Sequence, residues 1–311
     1  MAVNKNGIVV MGAVFVDIKG FPDDVYIPDG RNAGKVEYIH GGVSRNVVED
    51  IANMELRPTF LSIVDESALG DAVVRKLNNH KVNTEYIQSA PNGMGTWLAV
   101  FDNNGDLAGS ISQRPDLMPV LGVLEKKGDE IFANADSIII EVDVDKEIVK
   151  KVVELCEKHQ KKLYGVVSNM SIAVERRDFL QKFDCFICNQ LEAGMFFADD
   201  FSETAPKELA EILAKKLQLA KIPSMVVTMG GAGSVYADMK GKKGFCPAKK
   251  VQVKDTTGAG DAFCAGVSSG LTYGRTLAES VEIGTRLAAS VITSSENVCP
   301  RFLPGELGIE A

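Results

Sequence analysis

The chain has 311 residues, with 34 Lys plus Arg against 42 Asp plus Glu; the net charge of −8 argues against nucleic-acid binding through a global basic field. Hydrophobic residues make up 45% of the sequence, enough for a large core, and no apolar run reaches the roughly 18 residues of a membrane span. Six Cys are too few for a disulfide scaffold, which points to a reducing, cytoplasmic setting.

Lys5 and the apolar run 7–16 have the outline of a leader, but Asp17 closes the run and no small-residue cleavage site follows. Residues 8–15 are therefore read as a buried first strand. The stretch 17–40 is rich in Gly, Pro and Asp, with short β-like pieces at 25–27 and 35–39. Val47, Val48, Ile51 and Met54 share one helical face; after a strand at 59–64, Leu69, Val73, Val74 and Leu77 share another. Residues 96–101 and 107–112 flank Asp102-Asn-Asn-Gly105 and read as a hairpin. Strands at 137–141, 162–167, 184–188 and 225–229 then alternate with helices marked by Ile148, Val152 and Leu155 and by Leu209, Leu213 and Leu217. Two helices, near 259–270 and 277–292, close the chain.

This alternation predicts an α/β fold with a mostly parallel sheet covered on both faces. The segments near 17–40 and 95–114 are too polar for central strands. They are expected to pair into a small separate sheet, inserted at two points, that covers a site or meets a second subunit.

The run Asp255-Thr-Thr-Gly-Ala-Gly-Asp-Ala-Phe263 carries the most chemistry. Gly258, Ala259 and Gly260 remove side-chain bulk where a helix begins, so successive N–H groups can cradle an anion. Asp261, in the first helical turn, can accept a proton from a hydroxyl while the cradle stabilises a transferring phosphoryl group. On spacing alone the run also describes an ordinary capped helix start, and the chain has no Gly-x4-Gly-Lys-Ser/Thr loop.

This run resembles the C-terminal signature of the PfkB, or ribokinase-like, family of sugar and nucleoside kinases. Three further segments resemble the family's motifs in the same order: Gly41-Gly-Val-Ser-Arg-Asn46, Asn189-Gln-Leu-Glu192, and Val226-Val-Thr-Met-Gly230 with Gly233 after it. The resemblance implies one ribokinase-like three-layer α/β/α domain over 1–311, with the small sheet as a discontinuous lid and dimer interface. It makes Asp261 the general base and Gly258, Ala259 and Gly260 the anion hole. Asp17, Gly41, Gly42 and Asn46 would bind the acceptor, and Asn189, Thr228, Gly230 and Gly233 the nucleotide side. ATP would be the phosphoryl donor. Glu192 would organise Mg²⁺ through water, while Asp255 and Thr257 would belong to a K⁺ loop completed by backbone near 294–299.

Within the family, Gly34–Asn46 and the hairpin that starts at Trp97 resemble the bacterial pseudouridine kinases, which phosphorylate the ribosyl 5′-hydroxyl of a C-nucleoside. A ribokinase- or fructokinase-like sugar kinase is the second reading, and a non-catalytic ligand-binding protein on the same fold is the third. Val166-Val-Ser-Asn169, Ser44 and Gln113-Arg-Pro-Asp-Leu117 depart from the expected pattern and leave nucleobase recognition open. Trp97 and Phe15 could supply an aromatic wall, although simple sheet packing is the plainer reading of each. His40 adjoins the Gly-Gly turn and could touch substrate; Arg114 could reach a ligand, but reads most simply as an exposed salt-bridging residue. Cys185-Phe-Ile-Cys188 has metal-like spacing, but it sits in an apolar run with no second pair, which favours buried strand cysteines.

Overall fold

The structure is a computed structural model and describes residues 7–310; Lys5, named above, lies outside them. The strands are β1 Ile8–Met11, β2 Phe15–Pro22, β3 Gly34–Gly41, β4 Thr59–Asp65, β5 Ile87–Ala90, β6 Gly95–Phe101, β7 Leu107–Gln113, β8 Ser137–Glu141, β9 Lys162–Val166, β10 Cys185–Asn189, β11 Ser224–Thr228, β12 Ser234–Asp238 and β13 Lys243–Cys246. The helices are α1 Val43–Asn53, α2 Ala68–Asn79, α3 Met118–Ala133, α4 Lys146–His159, α5 Met170–Ala173, α6 Arg177–Leu180, α7 Gln190–Phe197, α8 Pro206–Ala220, α9 Ala259–Thr272 and α10 Leu277–Val291.

Nine strands form the main sheet in the order β13-β12-β11-β10-β9-β8-β1-β4-β5. Pairing is parallel from β11 through β5, and only the β11–β12 and β12–β13 pairings at one edge are antiparallel. Each central strand is apolar on both sides, so alternate residues feed two cores. Val9, Met11, Ile138 and Ile140 pack with α3, α4 and α8. Ile8, Val10 and Ile139 pack with α1, α9 and α10 on the opposite face. The result is the expected three-layer arrangement.

The second sheet has four strands in the order β3-β2-β6-β7. Its central pair, β2 and β6, is parallel, with an antiparallel partner on each side. Residues 15, 17 and 19 share one face; Ile18 lies on the other in a row with Tyr38, Leu98 and Ile111. That row is apolar yet open to solvent, with Tyr38 62% and Ile111 70% exposed.

Several expectations need correction. The run 8–15 is not one strand: the chain leaves the main sheet after Met11 and re-enters pairing at Phe15 in the small sheet. Gly12, Ala13 and Val14 between them are buried, so the continuous apolar pattern reported burial and not extension. Residues 25–27 form a loop, in which Asn32 Oδ1 accepts from Ile27 N and Asn32 Nδ2 donates to Ile27 O. Helix α3 and strands β5, β12 and β13 were not anticipated.

Candidate functional site

In a parallel sheet, side chains that leave the carboxyl ends of the strands converge on one crevice. Here Asn189 ends β10 and Thr228 ends β11, as direct register partners. Beside them a cleft of about 180 Å³ is lined by Val166, Cys188, Asn189, Glu192, Thr228, Gly260 and Asp261 among others. Residues from three separated motifs thus meet in one place.

Asp261 lies in the first turn of α9 and is half-buried. Asn46 Nδ2 donates to its Oδ2 at 2.6 Å, across 215 residues of sequence. Burial pushes the Asp261 carboxyl up to about 7; the Asn46 donor and the Arg45 guanidinium pull it down, and Asp17 and Glu192 push it up. A carboxylate that titrates there is matched to accepting a proton near neutral pH. Gly258, the N-cap of α9, has φ +80°, and a Cβ built on it would fall 1.9 Å from Asn297 O. At Gly260 a built Cβ would meet nothing within 4 Å.

The residues expected on the acceptor side are held by buried polar contacts. Gly42, N-cap of α1, has φ +99°, and a Cβ there would sit 2.7 Å from Ala13 O. Asp17 crowds the bare face of Gly41, and burial raises its carboxyl despite Lys19 and Arg45. Trp97 is the register partner of Asp17, on the same face. Asn46 Oδ1 is buried without a hydrogen-bond partner among the described residues, which leaves it able to accept from a ligand hydroxyl.

Among the residues expected on the nucleotide side, Asn189 caps α7. Its Oδ1 accepts from Glu192 N at 2.8 Å, and its own N–H donates to Glu192 Oε2 at 2.7 Å. Burial raises the Glu192 carboxyl, as does the nearby Asp143 carboxylate, with no cation partner among the described residues. One such carboxylate fits Mg²⁺, which keeps several waters and takes few protein ligands. Gly230 and Gly233 form the turn after β11, where Met229 N donates to Gly233 O. These glycines, like Asp17, Gly41 and Gly42, are not among the lining residues of the small cleft.

Asp255 and Thr257 also lie outside that cleft. Thr257 N donates to Asp255 Oδ1 at 2.8 Å, and this bond is the main reason the Asp255 carboxyl sits below its usual range. Lys254 N bonds Ile292 O, and Asn297 meets Gly258, so this loop does run beside the segment after α10.

Several supporting residues went unrecognised in the sequence. Arg45 is 1% exposed; it donates to Gly41 O and His40 O, and pairs with buried Glu49 at 2.7 Å. Burial raises the Glu49 carboxyl, but Arg45 and Lys76 outweigh it and hold it below the usual range. Glu141, at the end of β8, accepts from Ala13 N and Ser44 N and so ties the link between β1 and β2 to the start of α1. Burial, helped by Asp143, raises its carboxyl. Asp143 accepts from Arg114 and from both the N–H and hydroxyl of Ser168. The unusual residues Arg114 and Ser168 are thus two halves of one contact. An acidic residue closing an apolar strand was the available signal for Glu141. Cys185 and Cys188 are buried in β10, with free thiols.

A family model described as pfkB family carbohydrate kinase matches residues 5–299. The guanosine-inosine kinase of Exiguobacterium acetylicum is 34% identical over 294 residues, covering 94% of this chain and 96% of that protein. The pseudouridine kinase of Escherichia coli (strain K12) is 24% identical over 278 residues, 89% of this chain and 87% of that one. The structure of Arabidopsis thaliana ribokinase complexed with ribose and ATP superposes with a TM-score of 0.84 at 18% identity, covering 97% of this chain and 98% of that one. No helix among the described residues is long and apolar enough to cross a membrane.

Proposed function

The chain belongs to the pfkB family of carbohydrate kinases, and we propose that it transfers the γ-phosphoryl group of ATP to the 5′-hydroxyl of a nucleoside. Guanosine and inosine are the first acceptors to test, ahead of pseudouridine, because the guanosine-inosine kinase is the more similar of those two relatives. The observation that carries the reading is the Asn46–Asp261 hydrogen bond. It joins Asn46, proposed to hold the acceptor, to a carboxylate that lines the cleft together with Asn189, Glu192 and Thr228.

In the proposed mechanism, Asp17 and Asn46 hold the ribose hydroxyls, and Trp97 offers a flat wall beside them. Asp261 takes the proton of the attacking hydroxyl, and the amides at Gly258, Ala259 and Gly260 stabilise charge on the transferring group. Thr228, Gly230 and Gly233 bind the nucleotide. Asn189 and Glu192 would hold Mg²⁺ through water, and the ion would neutralise phosphate charge. Asp255 and Thr257 are proposed for K⁺. We also propose that the small sheet acts as a lid, excluding water from the reaction, and that its apolar outer row is covered by a second copy of the chain.

One assay tests the core of this: ATP consumption with guanosine, inosine, pseudouridine, uridine, adenosine, ribose and fructose as acceptors. Turnover is expected with a purine ribonucleoside. Turnover with ribose or fructose alone would favour the sugar-kinase reading; nucleoside binding without ADP formation would favour a binding protein. A monomer in solution scattering at micromolar concentration would remove the dimer.

A further inference from the structure

The carbonyl oxygen of His40 accepts two hydrogen bonds, one from the Arg45 guanidinium and one from Asn297 Nδ2 at 3.0 Å. His40 stands one residue before the end of β3, where the small sheet joins α1 through Gly42. Asn297 lies in the loop after α10, and its own carbonyl presses against Gly258, the N-cap of α9. One residue therefore touches the root of the small sheet with its side chain and the root of the anion cradle with its main chain. Both contacts are backed. Glu49 fixes Arg45, and Cys299 N donates to buried Asp50 Oδ1 at 2.6 Å, which pins the loop two residues beyond Asn297.

We infer that Asn297 is a positioning residue that couples the seating of the small sheet to the alignment of the Gly258–Gly260 amides; the catalytic half of this rests on the kinase reading above. A displacement of the small sheet about its join at Gly41 and Gly42 carries the His40 carbonyl with it. The hydrogen bond passes that displacement to Asn297. No side chain on Gly258 cushions it, so it reaches the first turn of α9 and the carboxylate of Asp261. Closure over the acceptor and assembly of the cradle become one event, and ATP alone meets an incompletely aligned cradle.

Asn297→Ala removes the donor, and Asn297→Asp removes it while keeping the shape, in case the first variant fails to fold. The first readout needs no turnover: amide hydrogen exchange of the ligand-free full chain. The coupling predicts faster exchange at both 39–44 and 256–261, two segments far apart in sequence. Faster exchange confined to 294–299 would overturn it. The second readout is kinetic. Loss of one hydrogen bond at the join should raise the acceptor KM about threefold to tenfold, leave the ATP KM unchanged, and increase the ATP hydrolysed per product formed. Equal changes in both KM values, or an unchanged ratio of ATP consumed to product, would assign Asn297 a local structural role only. A wild-type chain that phosphorylates no acceptor refutes the kinase reading, and the exchange result still judges the coupling.

Discussion

The two halves of the candidate site are built differently. On the acceptor side, the absent side chains of Gly41 and Gly42 are spaces already taken, by the Asp17 carboxylate and the Ala13 carbonyl. Asn46, Arg45, Glu49 and Glu141 are all buried there, in contact with charged or main-chain groups. On the side proposed for the nucleotide, a Cβ at Gly230, Gly231 or Gly260 would meet nothing within 4 Å, while at Gly233 it would fall 2.2 Å from Cys246 O. The first half is a filled polar core, and the second joins one closed glycine to open ones. The contrast teaches that a glycine in a signature motif has two unrelated uses. One fills space in the fold, and the other leaves open space, which we propose a ligand takes.

The largest effect tests the residue where the halves meet. Asp261→Asn should lower kcat by about 10²–10⁴-fold with nucleotide binding retained, and near-normal turnover would reject Asp261 as the base. Next come two glycines of the same motif. Gly258→Ala must place a Cβ against Asn297 O at φ +80°, so it should lower Tm by several degrees, as expected for a loss above about 1 kcal/mol. Gly260→Ala should leave Tm unchanged or slightly higher yet cut kcat, because its methyl occupies ligand space. Equal Tm losses in both would erase the distinction between the two uses.

Smaller in size, but sharper, is the pH profile. With the Asp261 carboxyl near 7, kcat/KM should fall as pH drops through that value and the base becomes protonated. Asn46→Ala removes a donor that favours the carboxylate, so this limb should move to higher pH. Glu192→Gln removes a repelling negative charge, so the limb should move to lower pH. Shifts in the same direction would dissociate the limb from Asp261. The smallest expected effect is a modest rate increase in K⁺ over Na⁺ through the Asp255–Thr257 loop; identical rates in K⁺, Na⁺ and a bulky organic cation would remove that site.

Much of this was legible in the sequence. Strands β8, β9 and β10 are near-continuous apolar runs, and α4, α8 and α10 carry plain helical stripes. The motif residues Asn46, Asn189, Thr228, Gly260 and Asp261 do converge, because each sits at the carboxyl end of a strand or the start of a helix. What escaped notice depends on long-range partners. Arg45 and Glu49 look like a surface i,i+4 pair until both prove buried. Asp143 is one more acid in an acidic chain until Arg114 and Ser168 close on it. The split of 8–15 into two strands was invisible for a related reason, since Ala13 and Val14 are as apolar as the strand before them and are buried in the link between the two strands.

The register of the small sheet has a mechanical consequence. Phe15, Gly41 and Gly95 are aligned across three strands, and each lies where the chain passes between the two sheets. The fourth strand leaves one step further, with Gln113 opposite Thr96. All the covalent attachments therefore fall along nearly one line. A plate fastened along a line resists shear and twist, and yields most easily by turning about that line as an axle.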